Sequence, residues 1–171
     1  MKIITNIFFI AIPVLIIACS GKTEGTATFG MRECIKLADN EKVLNADDKI
    51  YELYDSTCVP PESQIPLNKT IKSRDGYIFI GMAYLTNLSA LKENLRDFSG
   101  HEVIELKEFN DNGNNYVSFF AKTPGYFKLS VIYDNPSGGL FLINYLQDDS
   151  VKVREKYDDK NYIMNKLACG E

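Results

Sequence analysis

Apolar residues recur along this chain with two different periods, and the change of period divides it. Met31, Cys34, Ile35 and Ala38 stand at helical spacing, which predicts a short helix over Met31 to Asn40 with one apolar face. A second helix is predicted over Asp47 to Tyr54. Asn45 is its candidate N-cap, and Asp47 and Asp48 fall in the first turn, where the helix dipole favours negative charge. Ile50, Leu53 and Tyr54 form its buried face, and Pro60-Pro61 blocks any continuation. A turn near Asn45-Ala46 would fold the two helices into an antiparallel hairpin. The stretch from Pro60 to Asp75 carries Pro60, Pro61 and Pro66 among scattered polar residues and reads as a long loop.

From Tyr77 the pattern belongs to strands. Tyr77 to Tyr84 is a continuous apolar run, as expected of a central strand covered on both faces. Leu88, Leu91, Leu95 and Phe98 then form one stripe of a helix capped by Asn87 and ended by Ser99-Gly100. Four further strands are predicted over His101 to Phe109, Asn115 to Lys122, Tyr126 to Tyr133 and Leu140 to Gln147. An Asn-Gly pair, Pro124-Gly125 and Asn135 to Gly139 supply the turns between them. In the third of these strands Phe127, Leu129, Val131 and Tyr133 alternate against Lys128, Ser130 and Ile132. Val151 and Val153 extend the sheet or cross its edge. Asp158 or Asp159 caps a last helix with Tyr162, Ile163 and Leu167 on its buried face. The expected fold is α+β: an antiparallel sheet of about five strands, an N-terminal helical hairpin, one helix between strands one and two, and a C-terminal helix.

Charge narrows the partners. The formal net charge is −4, and the nearest thing to a basic run, Lys152 to Lys156, is broken by Glu155. That balance argues against nucleic acid and against charge-driven binding to an anionic membrane.

The first residues change the picture most. Lys2 gives a short positive start, Ile7 to Ile17 form an apolar run interrupted by Pro13, and Ile16-Ile17-Ala18-Cys19 ends it. The run is shorter than the roughly 20 residues a spanning helix needs. An ordinary secretory signal would place a small residue where Ile16 stands. The segment resembles a bacterial lipoprotein signal peptide. That resemblance implies removal of residues 1–18, lipid on Cys19, and a membrane anchor through that lipid. With Ser20 rather than aspartate after the cysteine, it implies delivery to the periplasmic face of the outer membrane. Residues 19–28 then read as a polar tether and residues 29–171 as a single globular domain.

Export leads to an oxidising compartment, where Cys34, Cys58 and Cys169 allow one bridge and one leftover thiol. Cys34 and Cys58 lie equally far along the chain from Ala46. In a helical hairpin this would bring them side by side, so Cys34–Cys58 is the expected pair, and a bond to Cys169 is the rival.

Chemistry-bearing patterns are sparse. His101 is the single histidine and, at a strand start beside Gly100, reads as a surface residue. No nucleophile elbow and no phosphate-cradling glycine loop occur. The aspartate pairs at 47–48, 148–149 and 158–159 fall at element ends, where aspartate serves local hydrogen bonding. No cofactor and no metal are expected. Aromatics are the remaining clue. Tyr116, Phe120, Phe141 and Tyr145 are placed opposite the alternating core set, so they are either covered by helices or exposed as a protein-binding patch. Three functions stay open. The first is a non-enzymatic, lipid-anchored binding module with a protein partner in the periplasm, such as an immunity protein against an envelope-targeting toxin. The second is an accessory subunit of an envelope secretion, assembly or cell-wall maintenance complex. The third is a carboxylate-dependent cell-wall enzyme.

Overall fold

Cross-strand pairing organises the chain into one large antiparallel sheet and one small one. The structure is a computed structural model, and it describes residues 25–28, 34–59, 65–83, 88–89, 101–111, 113–134 and 140–167. A two-stranded ribbon pairs β1 (Thr26–Thr28) with β2 (Cys34–Lys36). Then come β3 (Lys42–Leu44), α1 (Asp48–Thr57), β4 (Leu67–Lys72) and β5 (Gly76–Ala83). After them follow β6 (Glu102–Asp111), β7 (Asn114–Thr123), β8 (Tyr126–Asp134), β9 (Leu140–Gln147), α2 (Ser150–Asp158) and α3 (Lys160–Leu167). The large sheet has seven strands in the order β3-β4-β5-β9-β8-β7-β6.

Two hairpins follow directly from their turn residues. Asp111 pairs with Asn114, and Gly113 between them has φ +81°. Thr123 pairs with Tyr126 around Pro124-Gly125, with Gly125 at φ +78°; proline presets the first turn position and glycine supplies the positive φ of the second. The side chain of Asp47 caps α1 by accepting from the Ile50 amide at 2.9 Å, and Asp149 caps α2 through the amides of Val151 and Lys152.

Both faces of the large sheet are buried. On one, Ile71, Ile78, Ile80, Leu129, Val131 and Ile143 meet Ala27 and Ile35 of the ribbon and Val153 and Tyr157 of α2. On the other, Phe79, Val117, Phe119, Ile132, Leu142 and Leu146 meet Tyr54 and Cys58 at α1. All eight residues of β9 are buried, in keeping with a sequence that is apolar except for Asn144 and Gln147.

This architecture corrects the expected fold. The sheet has seven strands, not five, and the N-terminal helical hairpin does not form. From Cys34 to Leu44 the chain forms two short strands joined by a turn at residues 39–40: β2 bonds to β1, and β3 to β4. The helical spacing of Met31, Cys34, Ile35 and Ala38 loses to tertiary pairing, because Ile35 and Cys34 reach the core as strand residues. The expected loop from Pro60 to Asp75 contains β4. Val151 and Val153 belong to α2 rather than to the sheet, and one expected C-terminal helix is two. The expected helix from Asn87 to Phe98 lies outside the described residues except for Leu88 and Ser89, as do the signal segment and Cys19.

The disulfide expectation is corrected with the hairpin that motivated it. Cys34 is disulfide-bonded, whereas Cys58 is a free, buried thiol, so Cys34–Cys58 is not the bridge. The partner of Cys34 lies outside the described residues.

Candidate functional site

The four aromatics singled out in the sequence lie in the core. Tyr116, Phe120, Phe141 and Tyr145 are all buried, with none exposing more than 6% of its surface. Register explains the reversal: Tyr116 stands opposite Tyr133, Phe120 opposite Leu129, and Tyr133 opposite Phe141. They share the face of the alternating set in β8 instead of opposing it. Phe109, Tyr116, Tyr133 and Phe141 form a ladder of rings across β6 to β9, with centroids 5.0, 5.2 and 5.3 Å apart. Phe120 meets Tyr157 of α2, and Tyr145 meets Tyr162 of α3 edge-on. The two C-terminal helices cover the patch that would have been a binding face.

A polar cluster lies under the end of α1 on the opposite face. Lys128 of β8 is 1% exposed, yet its Nζ donates to the Thr57 carbonyl at 2.8 Å and to His101 Nδ1 at 3.0 Å. His101 Nε2 lies 3.0 Å from the Ser56 carbonyl. A carbonyl only accepts and an ammonium only donates, so the imidazole is neutral with its proton on Nε2. Ser56 and Thr57 supply two of the carbonyls that a helix leaves unsatisfied at its C-terminus, where the dipole also favours a cation. The ammonium also lies 5.4 Å from the Phe119 ring centroid.

Burial sets the protonation behaviour of this cluster. It pushes the Lys128 amine down to about 8, against the pull of the Cys58 thiol upward. Burial, with the Lys128 ammonium beside it, holds His101 down to about 4, although the Ser56 hydrogen bond opposes this. The Cys58 thiol is pushed up to about 12, chiefly by burial. A thiol so raised is a poor nucleophile. His101 also borders a shallow cavity of about 390 Å³ lined by Glu102, Lys122, Thr123 and Pro124. Its placement departs from the surface reading made of it in the sequence.

The third feature is β6, the terminal strand of the large sheet among the described residues. It carries Glu102, Glu105, Glu108 and Asp111 against one lysine, Lys107. Toward α2 its side chains are engaged. Arg154 Nη2 meets Glu105 at 2.6 Å and its Nε meets Asp158 at 3.0 Å, while Lys107 bridges Glu105 and Asp158 at 3.4 and 3.3 Å. Arg154 and Lys107 together hold the Asp158 carboxyl below its usual range. Elsewhere on the same strand Ile104 and Leu106 are 46% and 39% exposed. Among the described residues no group of three or more acidic, histidine or cysteine side chains is placed to hold a metal.

No family model matches the chain, and no curated protein matches it. A solved structure does: the solution structure of cyanobacterial PsbP (CyanoP) from Synechocystis sp. PCC 6803. It is 9% identical, covers 90% of this chain and 98% of its own, and superposes with a TM-score of 0.57. The likeness is one of fold. At that identity it carries no residue of a site from one chain to the other.

Sequence reasoning missed the Lys128–His101 pair because its members are 27 residues apart and meet carbonyls of a third segment. One signal was present. Lys128 interrupts a strand that is otherwise buried on both faces, and a lysine there must find acceptors.

Proposed function

We propose that this protein is a lipid-anchored, non-catalytic protein-binding module at the periplasmic face of the outer membrane, and that it acts as an immunity protein against an envelope-targeting bacterial toxin. The anchor rests on the resemblance of the segment ending at Cys19 to a lipoprotein signal. The observation that carries the binding reading is β6. It is a ten-residue edge strand on which the exposed Ile104 and Leu106 stand among four carboxylates. An edge strand offers unpaired backbone donors and acceptors to an added strand, and flanking side chains give that addition its specificity. Its charge suits a basic, extended segment of the partner. The groups best suited to acid–base chemistry, His101 and Lys128, hold the carbonyls of α1 instead, which supports a binder over an enzyme.

The test is genetic first. Deleting the gene should leave cells healthy alone and kill them beside kin that deliver the cognate toxin. A constitutive envelope defect in the deletion strain would instead identify an accessory subunit of an envelope complex. With the toxin in hand, the Glu102→Lys, Glu108→Lys double variant should weaken binding by roughly tenfold or more in samples whose circular dichroism shows the native fold. Unchanged affinity would remove β6 as the binding edge.

A further inference from the structure

The hydrogen bonds around His101 leave one place for a second proton. Nε2 already donates to the Ser56 carbonyl, so an added proton goes to Nδ1, 3.0 Å from the Lys128 ammonium. That nitrogen would change from acceptor to donor, and two cations would face each other. Lys128 Nζ meanwhile also donates to the Thr57 carbonyl. Both residues thus grip successive carbonyls in the last turn of α1. They come from different strands, since His101 stands at the start of β6 and Lys128 lies within β8.

We propose that His101 and Lys128 form an acid-opened clamp: protonating His101 at Nδ1 breaks its hydrogen bond with Lys128 and sets two cations against each other, and the repulsion drives the pair apart and loosens its grip on the C-terminal turn of α1. No other group needs to move a proton. The charged and titratable neighbours act on the midpoint. Lys128 opposes the added charge and the Ser56 hydrogen bond favours it. Glu102 of β6 and Lys122 of β7, of opposite sign, line the cavity that His101 borders, and Asp55 of α1 acts on the neighbouring Cys58. Cys58, next to Thr57, stays a neutral thiol across the acid range, because burial pushes it up. The held-down imidazole keeps the clamp shut at neutral pH and places its opening in strongly acidic surroundings. Tyr54 is loosened with the turn. Its hydroxyl donates to the Ile65 carbonyl at 3.0 Å, so the opening reaches the segment beyond α1. The clamp stands independently of which partner the protein binds.

The experiment is an NMR titration of the full-length chain in detergent micelles from about pH 7.5 to about pH 3.5, following the His101 ring and amide exchange of Tyr54 to Cys58. His101 should titrate near pH 4, and protection of the turn should fall by more than tenfold in the same window. The His101→Gln variant can donate to Ser56 and accept from Lys128 but takes up no proton in this range, so it should keep its protection throughout. Should that variant not fold, Lys128→Met provides the second reading: with the ammonium removed, the His101 midpoint should rise by roughly half a unit or more. Titration of His101 at its ordinary value of about 6.5 with protection unchanged would overturn the clamp. So would the same loss of protection in His101→Gln, or an unmoved midpoint in Lys128→Met.

Discussion

Gly81 shows how a single position on β5 is fixed by a partner on α1. A Cβ placed there would run into the Tyr54 hydroxyl and the Ile65 side chain, so the close approach of Tyr54 to the sheet requires glycine. The Tyr54 ring lies 5.7 Å from Phe79, and its hydroxyl is held by the Ile65 carbonyl. Gly81→Ala should therefore cost roughly 1–3 kcal/mol, as overpacking does. Adding Tyr54→Phe should recover part of that loss by removing the atom in the way. Chemical denaturation of the two single variants and the double variant measures the coupling, and strict additivity would refute the contact. His101 gives this scale its pH dependence. Its folded value of about 4 lies below an unfolded value of about 6.5, so the unfolded chain binds the proton more readily. The resulting stability is fully present above pH 6.5 and is lost as pH falls through about 4. Denaturation midpoints across that range should decline in the wild type and decline less in His101→Gln. The sequence shows a lysine within an otherwise buried strand but not what it meets, because Lys128 and the Thr57 carbonyl are 71 residues apart.

The elements were legible where local signals and tertiary structure agree. α1 forms where acidic first-turn residues precede an apolar face, and the Asn-Gly and Pro-Gly turns close β6–β7 and β7–β8 as their backbones demand. The elements that were misread depend on distant pairing. β2 carries a helical spacing but is held by β1 and packs beside α3, where Lys166 donates to the Lys36 carbonyl at 3.1 Å and pairs with the buried Glu41. β4 is a polar-looking strand whose inward residues, Thr70 and Ile71, are covered only once β3 and β5 flank it. The aromatics were placed on the wrong side because alternation within each strand does not fix register between strands. Their true position gives a sharp contrast. Phe120→Ala should destabilise the domain by roughly 3–5 kcal/mol by opening a cavity beneath α2. An exposed binding residue would lose partner affinity instead and leave the melting temperature unchanged. The cysteines allow a second check at this scale. Mass mapping under non-reducing conditions should find Cys34 linked and Cys58 alkylated only after unfolding; a Cys34–Cys58 peptide would contradict the arrangement of α1 and β2.

At the scale of the whole molecule, among the described residues both faces of the large sheet are covered, and β3 and β6 are its terminal strands, where another chain could add to the sheet. They differ in length and charge. β3 is three residues long and bears Lys42, with Lys69 and Lys72 behind it on β4, whereas β6 is ten residues long and predominantly acidic. A binding surface confined to the proposed β6 edge would give modest intrinsic affinity, and an anchor can compensate by concentrating a domain where its target arrives. The proposed lipid on Cys19 should therefore matter to protection and not to binding. Replacing residues 1–18 with an ordinary secretory signal and changing Cys19→Ala would export the same domain unanchored. If the proposed toxin is the partner, the affinity for it, measured by calorimetry, should equal that of the anchored chain, while protection of cells against toxin-delivering kin should drop at equal expression. Full protection by the unanchored form would show that local concentration is not limiting. A fall in affinity would show that the segment around Cys19 takes part in the binding surface itself.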